Sequence, residues 1–110
     1  MAFTAYHNIT GSTGLDIELI APGENVGEIR SIMITNTHAT ADATVSLFIQ
    51  DSPTAAAAGT FYILSTVAIP SDTSLLLDNS TVLSFNNSSN GYGLYLTVGA
   101  TDTLDVMINR

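Results

Sequence analysis

The chain has 110 residues, the length of one domain, with two Arg, no Lys, ten acidic residues, a formal net charge of −8 and no Cys. At this size folding removes roughly 60–70% of the unfolded surface from water, so one hydrophobic core is feasible without staples. The composition excludes disulfides, thiolate metal sites and thiol nucleophiles, and it disfavours nucleic acid, whose phosphates need clusters of Lys and Arg.

Charged residues make up 11% of the chain, against about 25% in ordinary globular proteins. Either the protein is a β-structure coated with Ser and Thr, or part of its surface faces other proteins, since interface centres are depleted in charge. No run approaches the ~18 apolar residues of a membrane helix. MAFTAYHNIT has neither the basic nor the apolar region of a secretory leader, so the expectation is no membrane and no export by that route.

Period-two alternation dominates, which points to strands throughout. Phe3 to Thr10 forms the first, with His7 on the more apolar face beside Ile9, and Leu15 to Ile20 the second, with Asp16 and Glu18 on its wet side. Ala21-Pro22-Gly23-Glu24 is a turn, Pro presetting φ and Gly accepting a positive value. Glu28 to Thr37 follows, and its apolar centre Ile32-Met33-Ile34 suggests a strand covered on both sides or central in a sheet. Thr44 to Asp51 is expected to pair with it as a hairpin closed by residues 38 to 43.

Ser52 to Gly59 reads as a loop with at most one helical turn, too short for a stable helix. Thr60 to Ile69 is a long strand ended by Pro70, and the turn at Pro70 to Thr73 leads into Ser74 to Leu77. A short strand at Thr81 to Phe85 then precedes Asn90-Gly91, a strong hairpin signal. Tyr92 to Val98 and Leu104 to Ile108 complete the set. Eight to nine antiparallel strands over one domain, residues 1–110, indicate an all-β fold: a single β-sandwich, jelly-roll or Ig-like. Residues 1–10 are a strand or arm placed to pair with a neighbour.

Chemistry has few footholds. His7 and His38 are the only imidazoles, one in a strand and one in a loop, without the ligand spacing of a zinc site; both read as ordinary strand and loop residues. There is no Gly-x-Ser-x-Gly elbow, and the lack of Lys removes Schiff-base and Ser-Lys chemistry. Asp16 and Glu18 share a face as any solvated strand pair does. The loop acids Asp51, Asp72, Asp78 and Asp102 match no EF-hand or repeat pattern. No catalytic residue, metal or cofactor is assigned.

Interface candidates are clearer. Arg30, on the face of Ile32 and Ile34, must meet one of many acids, within the chain or across a subunit boundary. Arg110 ends the last strand, placed to touch a neighbour. His38 and Asp42 sit in the Thr/Ala-rich tract of ITNTHATADATVSLFIQD, a candidate contact loop. Tyr62 with Tyr92 or Tyr95 is the one arrangement that suggests a sugar platform, although core or interface packing explains the rings more simply.

From Gly27 onward the order IRSIMITNT, a Thr/Ala loop, TVSLFIQD, TFYILSTVAIPSDTSLLLD, VLSF and LDVMINR resembles small virion structural proteins of tailed bacteriophages, particularly those of cyanobacterial and other marine phages. The resemblance implies a non-enzymatic β-sandwich: a capsid decoration or cement protein, or else a head-tail or tail and baseplate accessory subunit. It implies a homo-oligomer bound to the major capsid protein or other virion subunits, located on the virion after assembly in the host cytoplasm. A carbohydrate- or receptor-binding module is the rival.

Overall fold

Among the described residues the alternating segments form eight strands: β1 (Ala5–Thr10), β2 (Ile17–Ile20), β3 (Ser31–Asn36), β4 (Ala43–Gln50), β5 (Thr60–Ile69), β6 (Ser74–Leu77), β7 (Gly93–Val98) and β8 (Thr103–Asn109). The computed structural model describes residues 5–10, 17–25, 29–50, 59–79, 83–88, 91–99 and 103–109. Two four-stranded antiparallel sheets result, sheet A in the order β1-β8-β3-β6 and sheet B in the order β2-β7-β4-β5. The molecule is 19 Å along its short axis, as two sheets stacked about 10 Å apart require.

The pairing is nested: β1 with β8, β2 with β7, β3 with β6 and β4 with β5. A long hairpin wound up on itself has this order, and it is the jelly-roll order. The immunoglobulin alternative is thereby set aside. Between the sheets lies one apolar core, built from Ile9, Ile32, Ile34, Leu104, Val106 and Ile108 on one side and Ala43, Val45, Leu47, Leu94, Leu96 and Val98 on the other.

Two expected hairpins are not seen among the described residues. β3 and β4 lie in different sheets, so the tract between them is a crossover that closes one end of the sandwich. Alternation told that both were strands, but a strand with one apolar face packs equally well beside a neighbour or across from it. At Asn90-Gly91 too no strand pair is seen among the described residues: of the strand expected at Thr81 to Phe85, the described part, Leu83 to Phe85, is not in a strand. Instead the segment folds on itself, with Tyr92 N–H donating to Asn86 O at 2.7 Å and Gly91 N–H to Ser88 O at 2.9 Å. The loop expected at Ser52 to Gly59 lies almost wholly outside the described residues.

β5 departs from simple alternation. Its register against β4 shifts twice, between Val45 and Leu47 and between Leu47 and Phe48. At the first shift Thr66 has φ 53° and its N–H donates to Ser46 Oγ at 2.9 Å. These bulges put Leu64 opposite Leu47 yet Tyr62 opposite Phe48, reversing the parity that the sequence implies. β2 is bulged too, between Glu18 and Ile20, which sends both Leu19 and Ile20 into the core.

The turn expected at Pro22-Gly23 is present, with Gly23 at φ 90° and Glu24 N–H donating to Ala21 O at 3.3 Å. It folds over the outer side of sheet B. A Cβ on Gly93 would lie 2.7 Å from Ile20 O and 2.8 Å from Pro22 Cδ, so only glycine fits beneath the turn. Asn87 pins it: its Nδ2 donates to Ala21 O at 3.0 Å and Tyr92 O at 2.8 Å, and its carbonyl accepts from Gly23 N–H and Asn25 N–H.

Candidate interaction surface

At the crossover end, His38 and Asp42 belong to a loop system built on Asn36. Asn36 is fully buried; its Nδ2 donates to Ala41 O at 2.9 Å and Ile69 O at 3.0 Å, and its Oδ1 accepts from His38 N–H at 3.0 Å. His38 Nδ1 accepts from the backbone N–H of Thr40 at 3.1 Å and Ala41 at 3.0 Å. Its carbonyl accepts from Asp72 N–H. The imidazole therefore shapes the turn by side-chain-to-backbone bonding, which is a structural task. Asp42 is exposed on the same loop.

The remaining candidates lie elsewhere. Arg30 precedes β3 rather than sharing its inner face: it is exposed, while Ile32 and Ile34 are buried, and its N–H donates to Asn109 O at 2.8 Å. Among the described residues it forms no ion pair within the chain, so the intrachain partner expected for it is not seen. Arg110 lies outside the described residues. Tyr62 is 59% exposed on the outer side of sheet B, where its ring is tilted 45° to Phe48. Tyr92 instead meets Phe61 edge-on at 5.8 Å, and Phe61 pairs with the inward-facing Ile49. The two tyrosines thus face opposite sides of their sheet, and Tyr95 is 1% exposed. No sugar platform is formed by these rings.

The sheets differ on their outer sides. On sheet B one rung reads Glu18, Tyr95, Phe48, Tyr62 across all four strands. Its centre is closed: Phe48 stacks on Tyr95 with centroids 6.0 Å apart, Tyr95 Oη donates to Glu18 Oε2 at 3.2 Å, and Phe48 and Gln50 are buried with them.

On sheet A the corresponding rung reads Tyr6, Met107, Met33, Leu76. Tyr6 is 66% and Leu76 52% exposed, and the two methionines between them are half-buried. This is an apolar row across the full width of the sheet. The next rung is polar and tied together: Asn8 Nδ2 donates to Asp105 Oδ1 at 2.7 Å, and Thr35 Oγ1 and Ser74 Oγ share a hydrogen bond at 2.8 Å. Monomeric proteins rarely leave such contiguous apolar surface open, and methionine suits an adaptable contact. Beside Leu76 a hollow of about 200 Å³ is lined by Leu76, Leu77, Asp78, Asn79 and Leu83.

Sequence alone did not pick out this row. Tyr6 and Met107 sit opposite the apolar face of their strands as expected, but alternation assigns no outward face to Met33 or Leu76, and the alignment of all four depends on the order β1-β8-β3-β6, which joins segments far apart in the chain. Among the described residues no group of three or more His, Asp or Glu is placed to hold a metal, and no helix is long and apolar enough to cross a membrane. Comparison with family models, with curated proteins and with solved structures finds no match.

Proposed function

We propose that the chain is a non-enzymatic structural subunit of a phage virion, a decoration or cement protein that binds the capsid through the outer side of sheet A. The observation that carries this reading is the Tyr6-Met107-Met33-Leu76 row: an open apolar strip on a chain with few charges. The resemblance of the segment from Gly27 onward supports the virion setting. The jelly-roll order adds an analogy of fold alone, since that architecture serves capsid and lectin domains alike.

In this role the gain comes from removing the methionine, leucine and tyrosine surface from water at about 25 cal/mol per Å². The polar rung beside the row, already paired within the chain, would form the rim. The carbohydrate-binding rival loses its main support because Tyr62 and Tyr92 do not share a face.

Co-sedimentation with capsids assembled from the major capsid protein of the same genome tests the proposal. Binding is expected, and Met33→Glu or Met107→Glu should weaken it by at least about tenfold, equivalent to ~1.4 kcal/mol. Full retention of binding in both variants would remove sheet A from the interface. Saturable, specific signals on a glycan array would favour the rival.

A further inference from the structure

The four sheet edges are not built alike. β2 carries Glu18 and a register shift, and β5 carries two shifts and a positive-φ threonine. Bulges and charges are the devices that keep an open edge from pairing with another chain. The edges of sheet A have neither: β1 (AYHNIT) and β6 (SLLL) hold no Asp, Glu, Lys or Arg, and both pair with their inner neighbours without a break in register. On a chain of net charge −8, these are places where a second copy can approach without charge repulsion at the contact.

We propose that copies of this chain join head to tail, the β6 edge of one pairing with the β1 edge of the next, so that sheet A continues from molecule to molecule. Three features fit these edges together. Sheet A is antiparallel throughout and has an even number of strands, so a neighbour in the same orientation presents β1 antiparallel to β6. Leu76 and Tyr6 end the same rung, and Ser74 and Asn8 end the next. Continuing these rungs sets Leu76 opposite the neighbour's Tyr6 and Ser74 opposite its Asn8, apolar against apolar and polar against polar.

The third feature is the hollow at the β6 edge. Its three leucines offer an apolar wall and Asp78 an acceptor, which suits a phenol, and the continued register brings Tyr6 of the next copy beside it. A heterologous contact of this kind closes into a ring or runs on as an array. β6 is only four residues long, so each contact is small and repetition supplies the strength.

This adds a contact between copies to the subunit role proposed above, and its test uses the isolated chain and is read independently of capsid binding. The chain has no Cys, so Asn8→Cys and Ser74→Cys can be made singly, mixed and oxidised. Directly opposed antiparallel residues lie about 4.5–5.5 Å apart at Cα, within the reach of a disulfide. A disulfide-linked dimer should form in the mixture at more than about tenfold the yield of either variant alone, because pairing raises the thiols' effective concentration. Tyr6→Cys mixed with Leu76→Cys repeats the test should the first pair disturb the polar rung. Failure of both mixtures to cross-link overturns the proposal. So does equal cross-linking of Asn8→Cys alone, which would indicate β1 pairing with its own copy.

Discussion

Asn36 holds the crossover end together with more hydrogen bonds than its neighbours could replace. It is fully buried, and its amide serves Ala41 O, Ile69 O and His38 N–H at once. Asn36→Ala leaves those groups short of partners and should cost about 3 kcal/mol in urea unfolding. Asn36→Asp should cost at least as much, since a carboxylate cannot donate to the two carbonyls. His38→Ala exposes two backbone N–H groups that water can reach, so about 1 kcal/mol is expected. Thr66 offers the opposite case. A β-branched residue at φ 53° is strained, and Thr66→Gly should raise the unfolding midpoint, with a gain of about 1 kcal/mol. Composition told that the chain is rich in Asn and Thr, but not which of them are buried, because burial follows from the crossing of two sheets.

At the scale of elements, the strands were legible because apolar alternation is a local property, and Ile32, Ile34, Val106 and Ile108 all face the core as their parity demands. Partners were not legible. β3 and β4 are adjacent in the chain and lie in separate sheets, while β1 and β8, at the chain's extremes, pair through six residues. The outer side of sheet B also defied its alternation: Phe48 and Tyr95 stand at outward positions and are still buried. Cross-strand ring packing and the Pro22 turn close that side, and neither is visible in a single strand. Gly93→Ala places a methyl against Ile20 O and Pro22 and should destabilise by about 1–3 kcal/mol, the usual cost of overpacking. Thermal unfolding followed by near-ultraviolet circular dichroism would register both the loss and any release of Tyr95.

For the whole molecule, the low charge content now has a place as well as a number. Among the described residues most charges stand in loops, as with Glu24, Arg30, Asp42, Asp72 and Asp78, whereas the outer side of sheet A holds Asp105 paired with Asn8 beside an apolar row. Of the six interface candidates, none belongs to that row: His38 shapes the crossover end and Asp42 is exposed on its loop, Tyr62 and Tyr92 face apart, Arg30 forms no ion pair among the described residues and Arg110 lies outside them. In the proposed assembly the edges of sheet A engage further copies and its outer side engages the shell. Velocity sedimentation of the isolated chain, alone and mixed with capsids of the same genome's major capsid protein, is the most direct measurement. An oligomer that migrates with the particles, and Met33→Glu protein that stays behind them while still folded, is the expected result; a monomer that never associates with particles would contradict it.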